Sequence, residues 1–140
     1  MRGAVSFIAA TIFMCSTALA DEPPKRLTAA DLAVQTHKWD DKTIQATAKC
    51  FYADTNEYRC GVGVSGNTFV RVDFSEIEPD ALKKNIEDNC DTVEKMQSRA
   101  CYVSITFVYE SNHREEHNDG GTTMYIVAKD GRATLARVGK

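Results

Sequence analysis

The stretch that decides the fold is Thr43–Val64, TIQATAKCFYADTNEYRCGVGV. In its first part Ile44, Ala46, Ala48, Cys50 and Tyr52 are apolar. Thr43, Gln45, Thr47 and Lys49 between them are polar, and only Phe51 breaks the rule. Alternation with a period of two predicts a strand with one buried face. Ala53–Glu57 has the composition of a turn, and Tyr58, Cys60, Val62 and Val64 then alternate again. Folding the two runs as a hairpin about Thr55 sets Tyr52 opposite Tyr58 and Cys50 opposite Cys60, all on the inward face. A slip of one residue would turn every apolar side chain outward. The register that aligns the oily residues therefore also aligns two thiols, and it predicts a Cys50–Cys60 disulfide.

Working outward, Ser65-Gly66-Asn67 predicts a second turn and Phe69–Phe74 a third strand, with Val70, Val72 and Phe74 inward. Pro79 opens a helix, where its missing N–H costs nothing. Leu82, Ile86 and Cys90 share one stripe of that helix. Asp91 and Glu94 offer capping groups for another short turn. Cys101–Tyr109 reads as a fourth strand, with Cys101, Val103, Ile105 and Phe107 inward. Cys90 ends the helix and Cys101 starts this strand, so a second disulfide between them would clamp helix to sheet. Residues 110–121 read as a polar loop and Thr122–Ala128 as a fifth strand. Asp130-Gly131 reads as a hairpin turn leading into Ala133–Val138. Upstream, a short helix is expected from Ala29 to Thr36. Thr28 or Asp31 would stand at its start, with Leu32 and Trp39 as anchors.

The expected fold is mainly β with one or two short helices. It is a small five-stranded barrel stapled by disulfides, with a helix between strands three and four. That order resembles the OB-fold proteins. More narrowly it is similar to secreted bacterial relatives of the tRNA-anticodon-binding-like OB domain. Those open with a short helix and an aromatic-x-Gly-Lys-x-Val entry into the first strand. Here the corresponding residues are Trp39-Asp40-Asp41-Lys42-Thr43-Ile44, with Asp41 where the family has glycine. The resemblance spans residues 27–128. It implies an OB-like barrel and a binding habit, and it assigns no activity and no functional residue.

The 140 residues, 43% hydrophobic and 26% charged, suit one domain and exclude collagen, coiled-coil and disordered classes. The formal charge of −3 argues against a protein built to hold nucleic-acid phosphates. Arg2 is the sole charge before Asp21, residues 4–20 are uncharged, and Ala18-Leu19-Ala20 is a small-x-small cleavage signal. Residues 1–20 therefore read as a signal peptide cleaved after Ala20, residues 21–26 as a flexible leader, and residues 27–140 as one domain. Cleavage removes Cys15 and leaves Cys50, Cys60, Cys90 and Cys101. No membrane span remains, and the expected address is the periplasm or the exterior, where an even set of cysteines forms disulfides.

Motifs for chemistry are scarce. Gly61-Val62-Gly63-Val64-Ser65-Gly66 matches the dinucleotide-binding glycine pattern, but a strand follows it instead of the helix that would face a pyrophosphate. It reads as strand and turn glycines. His113-Arg114-Glu115-Glu116-His117 matches an inverted zinc-protease pattern. The segment lacks apolar residues to hold a helix, so it reads as a solvated loop, with His113 and His117 left as weak metal candidates. No catalytic residue and no cofactor is assigned.

The outward faces of the first three strands carry the candidate site. Hairpin registers place Lys49 beside Gly61 and Gly61 beside Arg71. Thr47, Gly63 and Phe69 form the next row, and Phe51, Arg59 and Asp73 another. Lys49, Phe51, Arg59, Phe69 and Arg71 together offer ring faces and cations, as OB domains do toward oligonucleotides and sugars. A plainer account is that aromatics cover strand glycines and Arg59 pairs with Asp73. The functional expectation is a non-enzymatic periplasmic or secreted binding module. Its partner would be an anionic or carbohydrate small ligand, or an envelope protein, in preference to nucleic acid. The alternatives are a small metal-dependent hydrolase using His113, Glu116 and His117, or a structural envelope-interaction protein.

Overall fold

Alternating side chains between Thr43 and Asp54 produce a long strand whose inward residues Ile44, Ala46, Ala48 and Cys50 are buried. A computed structural model describes residues 22–34, 36–54, 57–63, 67–92 and 94–139. The expected signal peptide, the hairpin pivot Thr55 and the Ser65-Gly66 turn lie outside the described residues. In chain order the elements are β1 (Lys25–Arg26), α1 (Ala29–Val34), β2 (Thr43–Asp54), β3 (Glu57–Val62), β4 (Thr68–Asp73) and β5 (Ile77–Glu78). They continue with α2 (Asp80–Asn89), β6 (Tyr102–Glu116) and β7 (Thr122–Arg137).

Five of these strands close a barrel. β2 is antiparallel to β3, and β3 to β4. β4 runs parallel to the first half of β7. β7 is antiparallel to β6, and β6 returns to β2. This is the strand order and closure of an OB-like barrel, with α2 between the third and fourth barrel strands. Ile44, Val70, Ile105 and Ile126 fill the interior without exposure to solvent.

The expected β2–β3 register is observed: Cys50 faces Cys60 and Tyr52 faces Tyr58. Both disulfides form, Cys50–Cys60 and Cys90–Cys101, and all four sulfurs belong to buried residues. Disulfides of this kind fit an oxidising surrounding. Leu82, Ile86 and Cys90 turn inward from α2 as their spacing predicts. Pro79 stands at the N-cap, one residue before the helix. The Tyr58 hydroxyl donates to Glu87 Oε1 at 2.6 Å, and the Tyr52 N–H donates to the Cys90 carbonyl at 2.9 Å, so helix and hairpin are joined at two heights. Burial, and then the Glu87 carboxylate, push the Tyr58 pKa up. Thr28 and Asp31 together cap α1, with the Thr28 N–H and hydroxyl both donating to the Asp31 carboxylate. Those bonds hold the Asp31 pKa below its ordinary value. Leu32 and Trp39 are buried anchors, and the Trp39 ring N–H donates to the Asp31 carbonyl.

Four expectations are corrected. First, residues 110–116 are strand. β6 continues from the barrel wall through Glu116 and pairs with β7 along its length, and only residues 117–121 turn. Polar residues on both faces hide a strand from hydrophobic periodicity once it projects beyond the core. Second, Asp130-Gly131 does not reverse the chain. Both residues have positive φ, 53° and 69°, and with Lys129 and Arg132 they bulge out of β7 opposite Val108. Gly131 is required there, because a Cβ would stand 2.6 Å from that of Asp73. Third, the leader is anchored at its end, since Lys25 and Arg26 pair in parallel with Ile44 and Gln45. Fourth, the short turn after α2 is capped by Thr92, whose hydroxyl accepts from the Lys95 N–H, and not by Asp91 or Glu94. Asp91 instead forms an ion pair with Lys95 at 2.7 Å.

Among the described residues, no helix is long and apolar enough to cross a membrane.

Candidate functional site

The outer faces of β2, β3, β4, β7 and the projecting half of β6 form one continuous surface. The β3–β4 pairing differs from expectation by two residues: Gly61 faces Phe69, and Arg59 faces Arg71. Lys49, Gly61 and Arg71 therefore do not form one row. A shift of two leaves every side chain on its expected face, and its physical cause is visible. The Phe69 ring lies on Gly61, where a Cβ would meet Phe69 Cε1 at 3.2 Å. The ring thus covers the backbone that glycine leaves bare.

Rings run across this surface in a row. Phe51 meets Phe69 edge-on, with centroids 6.2 Å apart. Phe69 stacks toward Tyr125 at 6.1 Å, and His113 stacks on Tyr125 at 5.1 Å. The Arg71 guanidinium sits 3.9 Å from the Tyr125 centroid, and that of Arg59 sits 5.7 Å away. Tyr125 is consequently 7% exposed although it stands on the outside of the barrel. It is the hub of the cluster, and Phe51, Phe69 and the two arginines form its solvent-facing skin.

Carboxylates thread between the cations. Glu57 Oε1 lies 2.6 Å from Arg59 Nε and 3.4 Å from Arg71 Nε. Glu115 Oε1 lies 3.8 Å from Arg71 Nη2 and 3.3 Å from His113 Nε2. The hydrogen bond from Arg59 to Glu57 pushes the guanidinium pKa further up. The pair of arginines is thus matched by a pair of glutamates. Arg71 Nε is buried without a hydrogen bond, because Glu57 is within ion-pair range but off its donor direction.

Of the five expected site residues, Phe51, Arg59, Phe69 and Arg71 come together. Lys49 does not join them. Although it pairs with Gly61, its ammonium turns away from the rings, donates to Gln97 Oε1 at 2.7 Å and lies 5.1 Å from the Tyr102 ring. The expected Arg59–Asp73 pair is replaced by Arg59–Glu57, while Asp73 accepts from the N–H and hydroxyl of Ser75. His113 and His117 stand four residues apart on an extended strand and its turn, so roughly 13 Å of chain separates them where a helix would bring them one turn apart. Glu116 alternates to the opposite face from Glu115. His117 bonds Thr123 Oγ1 at 2.7 Å. Among the described residues no three His, Cys, Asp or Glu side chains gather as a metal site.

Sequence reasoning missed Tyr125, Glu57, Glu115 and the placement of His113. The signal was present for the first: Thr123, Tyr125 and Val127 alternate with Met124, Ile126 and Ala128. Barrel closure then sets that outward row beside β4.

The chain matches no protein-family model, no curated protein and no solved structure.

Proposed function

We propose that this is an exported, non-enzymatic binding module with an OB-like barrel, presenting to a carbohydrate the Phe51 and Phe69 rings and the two arginines that lie over the buried Tyr125. The observation that carries this reading is the row of rings bordered by Arg59, Glu57, Arg71 and Glu115. Ring faces suit the apolar C–H faces of a sugar. Planar guanidinium and carboxylate groups around them offer the donors and acceptors that hydroxyls need. Because each arginine is matched by a glutamate, the surface favours a neutral saccharide over a strongly anionic ligand. The resemblance to the anticodon-binding-like OB domains supports a binding role and nothing finer. Export rests on the pattern of residues 1–20, with which the two disulfides agree.

The test is calorimetric titration with neutral oligosaccharides, maltohexaose and chitohexaose, with an acidic oligouronide beside them. A neutral probe should bind, and Phe51→Ala should weaken it roughly ten-fold, about 1.4 kcal/mol, with unchanged circular dichroism. Failure of every neutral saccharide, or unchanged affinity in Phe51→Ala, overturns the reading. An envelope protein is the second reading, favoured by the Tyr and Arg composition at the centre of the patch, which is typical of interface hot spots. Chemical crosslinking in the native compartment that traps a single partner through this face would select it.

A further inference from the structure

A second surface lies where α2, the start of β6 and the end of β7 meet, and it shares no lining residue with the ring row. It is a groove of about 680 Å³, within the size range of small-ligand sites. Its floor is apolar. Leu82 contributes from α2, Tyr102 from β6 and Val138 from the segment after β7. Tyr102 and Val138 are 38% and 44% exposed, and they are two of the three large hydrophobic residues that the described chain leaves open to water. Arg99 and Arg137 line the same groove, and among the described residues no acidic side chain does. Among the described residues neither arginine enters an ion pair. Lys49 adds a third cation behind the Tyr102 ring.

The backbone that carries the two arginines is held in place. Arg99 opens a short helical turn, Arg99–Cys101, that the Cys90–Cys101 disulfide ties to the end of α2. The Asn85 side chain donates to the Ala100 carbonyl at 3.0 Å and fixes the same turn from the helix side. The end of β7 is fixed by pairing of Arg137 with Val103. In a chain of net charge −3, a groove with two arginines and, among the described residues, no acidic side chain is a local inversion of sign. That concentrates anions, and the exposed apolar floor rewards one that carries a hydrocarbon body.

We infer that this groove binds a small amphiphile with one anionic head, a medium-chain monocarboxylate. The carboxylate pairs with Arg99 and Arg137, and the chain lies over Leu82, Tyr102 and Val138. The site is separate from the ring row, so the two stand or fall independently.

Sodium decanoate below its micellar concentration is the probe, with decanol and acetate as the uncharged and tail-less controls, read by calorimetry and by melting temperature. Decanoate should bind saturably and raise the melting temperature, and each control should bind at least ten-fold more weakly. Arg99→Gln with Arg137→Gln should cut decanoate affinity at least ten-fold with unchanged circular dichroism. Val138→Asp, at an exposed position, should do the same by setting a carboxylate in the groove. Phe51→Ala should bind decanoate as the parent does. The inference is overturned if decanoate does not bind, if decanol binds as tightly, if acetate alone suffices, or if the arginine pair can be removed without loss.

Discussion

The β2–β3 and β6–β7 hairpins are built from the same kind of strand yet solve different problems. β2–β3 is short, carries an apolar side chain at nearly every inward position and is locked by Cys50–Cys60. β6–β7 begins in the same way, with Val103, Ile105 and Phe107 buried, and then runs on past the core with Asn112, His113, Arg114 and Glu115. The outer half of β6 has little interior to bury, although its partners on β7, Met124 and Ile126, stay in the core. It is held by ladder hydrogen bonds, by His113 on Tyr125 and by the His117–Thr123 bond at the tip. One hairpin is therefore stabilised by burial on both strands and a covalent tie, the other by burial along β7 and at the root of β6, with polar contacts along the rest of β6. The second arrangement is what lifts Tyr125, His113 and Glu115 beside β4 and assembles the ring row.

The contrast can be broken by mutation. Ile105→Ala, in the buried root of β6, should cost about 2–5 kcal/mol. Arg114→Ala, on the projecting half of the same strand, should cost about 0.5 kcal/mol or less. Equal losses in urea melts would show that the projection is part of the core after all. Replacing Cys50 and Cys60 together by alanine should cost about 2–3 kcal/mol, the value of closing a short loop in the unfolded chain. A loss well below that would assign the hairpin's rigidity to packing alone. Gly131→Ala should destabilise by roughly 1–3 kcal/mol, because it forces a side chain into a left-handed conformation and against Asp73. An unchanged melting temperature would mean that the β7 bulge adapts, and the bend in the second hairpin would then need another cause.

Legibility in the sequence followed burial. Thr43–Tyr52 and Tyr58–Val62 were readable because their apolar residues must face one interior, which fixes both face and register. The Cys50–Cys60 disulfide followed from that register, Cys90–Cys101 from the places of its cysteines at the helix end and the strand start, and α2 from the stripe of Leu82, Ile86 and Cys90. The β3–β4 register was less secure, since outward residues and a glycine leave slips of two unpunished by burial. The seating of Phe69 on Gly61 decided it, and that is a contact between side chain and backbone with no periodic signature. The outer half of β6 was lost because polar residues on both faces read as loop. Asp130-Gly131 was misread because the same left-handed pair serves a tight turn or a bulge. As for the site, the face was legible and its centre was not. Tyr125 joins Phe69 only through a parallel pairing between distant parts of the chain.

That pairing has a kinetic consequence. Val70 finds Ile126 only after α2, β6 and the start of β7 exist, and contacts between remote residues are slow to form. Until then β4 presents a bare edge and the oily interior lies open on one side, so a nascent or truncated chain without β7 needs shielding from its neighbours. The last long strand acts as the clasp of the fold, and whatever delays its arrival lengthens the interval in which aggregation competes.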